Sequence, residues 1–287
     1  MSTRGDGRPI RLGANDYGKA RIRLVRVLRE PGGDRLRDLT VRVALEGDFE
    51  AAHTAGDNTL VVATDTMKNT AYVLALDGLT GSIEAYGLTL ARHFLDFPQV
   101  RRATVNIAEA RWSPLRVDGA ISDHAFKRDG DLTRTATVSA SAEATSIEAG
   151  VEDLTLMLTR GSAFNGFDRD RFTTLAETDD RLMATKVACR WRYGPAALDH
   201  DAAFEAVLAT LLRVFADHFS PSVQASIWLM GKAALEAHPE LEEIHFALPN
   251  LHHWPVDLAP FGLRNEGQVF VASSEPHGLI EATIVRG

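Results

Sequence analysis

The chain has a single cysteine, Cys189, so it cannot form an intrachain disulfide. A reducing compartment, the cytoplasm, is the expectation, and Cys189 itself, set in an apolar alternating run, reads as a buried strand residue. Long apolar runs are absent too: no stretch of about eighteen apolar residues occurs, which excludes a membrane-spanning helix. Positive charge is in short supply, with 31 Lys and Arg against 39 Asp and Glu and a net charge of −8. Such a surface lacks the broad basic face that neutralises nucleic-acid phosphates, so any anionic ligand must be held by a local cation. No HxxxH or HExxH spacing and no cysteine cluster is found, so a metal site is not expected. Residues 1–13, rich in Gly, Arg and Asp, lack an apolar h-region and read as a flexible tail rather than a signal peptide. The chain ends Ile284-Val285-Arg286-Gly287, which is not a Ser-Lys-Leu peroxisomal address.

What is present is an ordinary globular composition: 287 residues, 45% hydrophobic and 24% charged, enough for one large or two small cores. Arg21 to Leu28 and Leu39 to Glu46 read as half-buried antiparallel strands, the second with Leu39, Val41, Val43 and Leu45 on one face. Helices follow at about Thr66 to Ala75, with Met67, Thr70, Ala71 and Leu74 at helical spacing, and at about Ser82 to Phe97, with Ile83, Tyr86, Leu90 and Phe94. Val100 to Trp112 and Leu132 to Ser146 return as strands. The order then repeats: strands at Glu152 to Arg160 and Thr185 to Tyr193, helices at Asp199 to Asp217 and Pro221 to Ala237, strands at Leu241 to Leu248 and Gln268 to Ser273. This predicts an α+β chain of two tandem units, 14–150 and 151–287, each an antiparallel four-stranded sheet with two helices on one face. Such sheets have open edges, which pairing into a closed barrel between subunits would remove. The competing architecture is a self-contained α+β sandwich.

Several segments carry groups able to do chemistry, each with a plain structural alternative. Tyr17-Gly18-Lys19 precedes the first strand, where Lys19 is either a solvated strand-end cation or a partly desolvated amine able to take a proton near neutral pH. Thr64-Asp65-Thr66 suits a helix N-cap, and a hydroxyl held there can also donate to a ligand. In Gly161-Ser162-Ala163-Phe164-Asn165-Gly166-Phe167 the glycines allow a sharp bend that exposes Phe164, either as core or as a stacking floor for a planar heterocycle. Arg181, in Glu177-Thr178-Asp179-Asp180-Arg181, offers paired coplanar donors to an anion, or else forms a surface salt bridge with Asp179 or Asp180. Ser220-Pro221 reads as an N-cap with proline at the first helical position, so Val223 and Gln224 fall in the first turn, where backbone N–H groups lack helical partners. The Gln224 amide can read the N–H and C=O edge of a purine or pterin. Asn250 and His252, in Leu248-Pro249-Asn250-Leu251-His252, occupy a proline-containing loop; His252 and His253 would point to opposite sides and make a poor metal pair.

Taken together, from about Tyr17 to about Ile280, these segments resemble the urate oxidase (uricase) family of the tunnelling fold. The resemblance implies two tunnelling-fold units per chain, a homotetramer with an inter-subunit barrel and central tunnel, and oxidation of urate by O2 and water to 5-hydroxyisourate and hydrogen peroxide without a cofactor. It implies that Arg181, Gln224 and the Val223 N–H hold the urate anion over Phe164. Lys19, Thr64 and His252 would move its proton, Asp65 would touch its edge mainly through the backbone, and Asn250 would border the space for dioxygen and then water. It further implies that Lys19, Thr64 and Asp65 come from one subunit and the remaining residues from its neighbour. A tunnelling-fold lyase or hydrolase acting on a pterin or purine, and a non-catalytic purine-binding protein, are the alternatives.

Overall fold

The computed structural model describes residues 9–287; of the tail expected over 1–13, residues 1–8 lie outside the described residues and 9–13 contain no helix or strand. Eight strands are hydrogen-bonded neighbours in chain order: β1 (Tyr17–Leu28), β2 (Arg35–Gly47), β3 (Val100–Val117), β4 (Ala120–Ser141), β5 (Thr145–Leu158), β6 (Met183–Tyr193), β7 (Leu241–Pro255) and β8 (Phe270–Val285). The helices are α1 (Glu50–Thr54), α2 (Thr64–Gly78), α3 (Ile83–Leu95), α4 (His200–Asp217) and α5 (Val223–Ala237). No helix among the described residues is long and apolar enough to cross a membrane.

Two compact units emerge. One comprises the described chain up to Arg26 with Asp38–Ile107 and Thr137–Ser146; the other comprises Val27–Arg37, Ala108–Ala136 and Ile147–Gly287. Strands β3 and β4 are long enough to contribute residues to both.

In the first unit, Leu39, Val41, Val43 and Leu45 of β2 are fully buried, as their alternation requires. Above the strands, α2 buries Met67, Ala71 and Ala75, and α3 buries Ile83, Tyr86, Leu90 and Phe94, an apolar stripe at spacings of three and four. The Tyr86 hydroxyl donates to the Ala71 carbonyl at 2.6 Å and ties the two helices; burial pushes this phenol's pKa up, which keeps the donor protonated. Ser82 caps α3 by accepting from the Ala85 N–H at 3.1 Å. Gly87 lets α3 lie directly on the strands, since a Cβ there would stand 2.9 Å from Val138 Cγ2.

In the second unit, β5 to β8 pair antiparallel. Helix α4 contributes Phe204, Val207, Leu208, Leu211 and Phe215, and α5 contributes Ile227, Met230 and Ala234, to a core closed by Trp191, Ile244, Phe246 and Leu248. Cys189 lies in this core at 4% exposure, and burial pushes its thiol pKa well up, as suits an inert strand residue. Arg37 meets Glu109 at 2.9 Å and Asp201 at 2.5 Å, and Arg134 also reaches Asp201 at 2.5 Å. At Glu109 burial outweighs both arginines and the pKa rises. At more open Asp201 burial opposes ionisation, but Arg37 and Arg134 prevail and the pKa falls.

Element boundaries depart from the sequence expectations where polar residues sit inside long strands. The strand expected over Leu132 to Ser146 is two: β4 begins at Ala120, just after a tight reversal at Asp118-Gly119, both at positive φ, and β5 starts at Thr145. Asn250 and His252 lie within β7 rather than in a loop, because β8 pairs with β7 as far as Pro255. Lys19 likewise lies inside β1 rather than before it.

Candidate functional site

In the first unit, Gly18 lets β1 close on β2: a Cβ there would fall 1.8 Å from the Val43 carbonyl oxygen. This sets the half-buried Lys19 beside it in a fixed register. The segment Thr64-Asp65-Thr66 does not cap α2. Thr64 is the first helical residue, Ala63 holds the cap position, and no side chain supplies the cap bond. The Asp65 carboxylate instead bonds the Lys68 ammonium and accepts from Asn69 Nδ2 at 3.0 Å. The Lys68 hydrogen bond and charge, with a smaller contribution from Lys19, hold the Asp65 pKa below the usual carboxylate value.

In the second unit, the loop 161–167 is pinned on three sides. Gly161 adopts φ 78°, and around it the Ser220 N–H donates to the Gly161 carbonyl at 2.9 Å while the Ala163 N–H donates to the Ser220 carbonyl at 2.8 Å. Phe164 exchanges backbone bonds with Thr178, and the Arg181 N–H donates to the Ser162 carbonyl at 2.7 Å. The carboxylates that could have paired with Arg181 are engaged here: Asp180 accepts from the Gly161 N–H at 2.8 Å, and Asp179 from Asn165 Nδ2 at 2.7 Å. Arg181 therefore has no carboxylate partner among the described residues. Its guanidinium lies over the Phe164 ring at 5.2 Å and donates weakly from Nε to Ser162 Oγ at 3.4 Å. Burial lowers its pKa from the ordinary arginine value, which still leaves it charged. A half-buried cation without a carboxylate partner has the charge and the donors to receive an anion.

Helix α5 starts two residues later than the sequence suggests. Ser222 is the N-cap, accepting from the Ala225 N–H at 3.2 Å, while Ser220 and Pro221 lie outside the helix. Val223 and Gln224 still occupy the first turn, as its first two residues, so their N–H groups have no intrahelical acceptor. Val223 is buried and Gln224 exposed. Asn250 stands opposite Thr185 of β6 and Gly278 of β8, and His252 stands opposite Ser273 with its ring stacked on Trp254 at 5.4 Å. Among the described residues the side chains of Gln224, Asn250 and His252 make no hydrogen bond, nor do those of Lys19 and Thr64 in the first unit. No group of three His, Cys, Asp or Glu poised to hold a metal occurs among the described residues.

A family model described as uricase matches residues 15–139 and 147–281 of the chain. The chain belongs to the uricase family. The uricase of Arthrobacter globiformis is 46% identical over 281 residues, spanning 98% of this chain and 91% of that protein. The uricase of Dictyostelium discoideum is 37% identical over 276 residues, spanning 95% and 96%. The crystal structure of the Arthrobacter globiformis uricase matches with a TM-score of 0.92, covering 97% of this chain and 96% of that one. The expected α+β class and tunnelling fold therefore hold.

Sequence reasoning missed two supports of this candidate site. Ser162 holds Arg181 through both its carbonyl and its hydroxyl, and Phe167 stacks on Phe164 at 5.0 Å with the rings 13° apart. Phe167 was visible as a second aromatic in the glycine-flanked loop. Ser162 carried no signal, since its role arises from the bridge to Ser220 far along the chain.

Proposed function

We propose that the chain oxidises urate with dioxygen and water to 5-hydroxyisourate and hydrogen peroxide without a metal or redox cofactor, at sites shared between subunits of a cytoplasmic homotetramer. The observation that carries this reading is Arg181, half-buried, free of carboxylates and lying over Phe164. Tied through Ser162 and Ser220 to the segment that begins α5, it suits a flat anion with a polar edge. Arg181 donates to adjacent acceptors of the urate anion, the Val223 N–H meets a ring oxygen, and the Gln224 amide takes the neighbouring N–H and C=O edge. Phe164 supplies the aromatic ring on which the urate ring stacks.

Across the subunit seam, Lys19 and Thr64 of one chain face His252 and Asn250 of its neighbour, and Asp65 meets the ligand edge through its backbone. Lys19, Thr64 and His252 draw a proton from bound urate, which yields an electron-rich dianion. That dianion passes an electron to dioxygen, and recombination gives a peroxide adduct at a ring carbon above Phe164. Loss of hydrogen peroxide and addition of water, both in the space beside Asn250, complete the balance: one urate, one dioxygen and one water give one 5-hydroxyisourate and one hydrogen peroxide. The unengaged side chains of Lys19, Thr64, Gln224, Asn250 and His252 support these roles, since polar groups left without intramolecular partners are available to a ligand. Tandem tunnelling-fold units, 14–150 and 151–287, belong to the same proposal, supported by the two helix pairs that follow the same strand order.

Metal-free protein is mixed with urate in air and under nitrogen, and urate absorbance is followed. Rapid loss in air only, with peroxide formed in equal amount, is expected; a requirement for added metal or flavin would overturn the cofactor-free reading.

A further inference from the structure

We infer that His218 is a positioning residue for the urate site, acting through the buried hydroxyls of Ser226 and Ser220 to hold the Phe164 platform and the Arg181 clamp in register with the first turn of α5. This rests on the site proposed above, of which none of these three side chains is a part.

His218 follows the last residue of α4, and its Nδ1 lies 2.9 Å from the Val214 carbonyl and 3.1 Å from the Phe215 carbonyl. Carbonyls only accept, so Nδ1 carries a proton, and in the neutral ring Nε2 is the acceptor. Nε2 stands 2.7 Å from Ser226 Oγ, which stands 2.8 Å from Ser220 Oγ, and both serines are fully buried. With the ring neutral and one proton on each hydroxyl, the chain runs in one direction: Ser220 donates to Ser226, and Ser226 to His218. Other acceptors are more distant, the Ser222 carbonyl at 3.2 Å from either hydroxyl and Met183 Sδ at 3.3 Å from Ser220.

Both ends of this chain meet the site. Ser226 lies in the first turns of α5, and the Ser222 carbonyl that its hydroxyl would otherwise take closes the first helical bond, to the Ser226 N–H at 3.2 Å. Drawing both hydroxyls onto that carbonyl would pull on the turn that aims the Val223 and Gln224 N–H groups. On the other side, the Ser220 backbone bonds Gly161 and Ala163, whose next residue is Phe164, and Ser162 between them holds Arg181. Closing the end of α4 requires only the Nδ1 donor. The Nε2 end and two buried hydroxyls add nothing to that closure, but they link α4, α5 and the 161–164 loop into one hydrogen-bonded unit.

His218→Asn keeps a donor for the helix carbonyls but has nothing to accept from Ser226, whereas His218→Gln can reach Ser226. In steady-state kinetics with urate, His218→Asn is expected to raise KM about tenfold with kcat changed less and thermal midpoint nearly unchanged, and His218→Gln to restore most of the loss. Ser226→Ala is expected to give a similar KM, and the His218→Asn/Ser226→Ala double to be no worse than either single, as for groups acting as one unit. A lowered thermal midpoint with unchanged KM, or additive effects in the double, would overturn the inference. Arg181→Ala in the same assay separates the two levels. If it raises KM while His218→Asn does not, only the positioning role fails; if it leaves KM unchanged, the site reading fails and this inference with it.

Discussion

Replacing Arg181 with lysine preserves the charge and removes the geometry, which makes it an informative perturbation of the anion site. Arginine presents two coplanar donors while its guanidinium covers the Phe164 ring at 5.2 Å; lysine is a single flexible ammonium. Losing one of two charge-assisted hydrogen bonds to the urate anion costs about 1.5–3 kcal/mol, which corresponds to a rise in KM of roughly 13- to 160-fold. Because the anion is bound in ground state and transition state alike, kcat should change far less than KM. Burial acts on the replacement as well. It lowers the Arg181 pKa without consequence, since arginine remains charged, but the same desolvation pulls a lysine down towards working pH. The variant's KM should therefore climb further as pH rises through the lysine pKa, while that of the unchanged protein does not follow it. Steady-state kinetics on urate across the alkaline range measures both effects. A KM within twofold of the parent, with no added alkaline rise, would refute the assignment of Arg181 as the anion clamp.

Thr64→Ala should bind urate nearly as well but lose much of kcat, because a proton relay acts in the transition state; a pure rise in KM would count against it. Glu109→Gln removes the carboxylate that Arg37 meets at 2.9 Å, in a site where the Glu109 side chain is 7% exposed. Because burial outweighs both arginines at Glu109, and Asp201 still pairs with them, unfolding by denaturant should show a loss well below the roughly 3–5 kcal/mol usual for breaking a buried pair from one side. The depressed pKa of Asp201 contributes stability that is complete above its unfolded value of about 3.9 and is lost as pH falls through the lower folded value. Asp201→Asn should consequently flatten the acid side of the stability profile, measured as thermal midpoint against pH.

The helices and the buried faces of the strands were legible in the sequence because their apolar periods are clean: Leu39 to Leu45 alternate, and Phe204 to Phe215 form one helical stripe. The lengths of the strands were not. Residues 118–131 are mostly polar, and only the tight reversal at Asp118-Gly119 and ladder pairing make strands of them. Residue identity announced Arg181 and Phe164 as an anion clamp and a stacking floor, but whether Arg181 was tied to Asp179 or Asp180 depended on loop geometry. Those carboxylates face the Asn165 amide and the Gly161 N–H instead. The capping assignments at Thr64 and Ser220 failed for a related reason: several adjacent residues had capping chemistry, and tertiary packing, not local preference, chose Ser222 in one case and no side chain in the other.

Subunit complementation tests the two-chain site most directly. Thr64→Ala protein and Arg181→Ala protein, each nearly inactive alone, are unfolded together and refolded as a mixture, and urate consumption is measured. If each site takes its threonine from one chain and its arginine from another, mixed assemblies contain some intact sites and activity returns well above either parent. Assembled mixtures as inactive as the parents would contradict a site built from two chains.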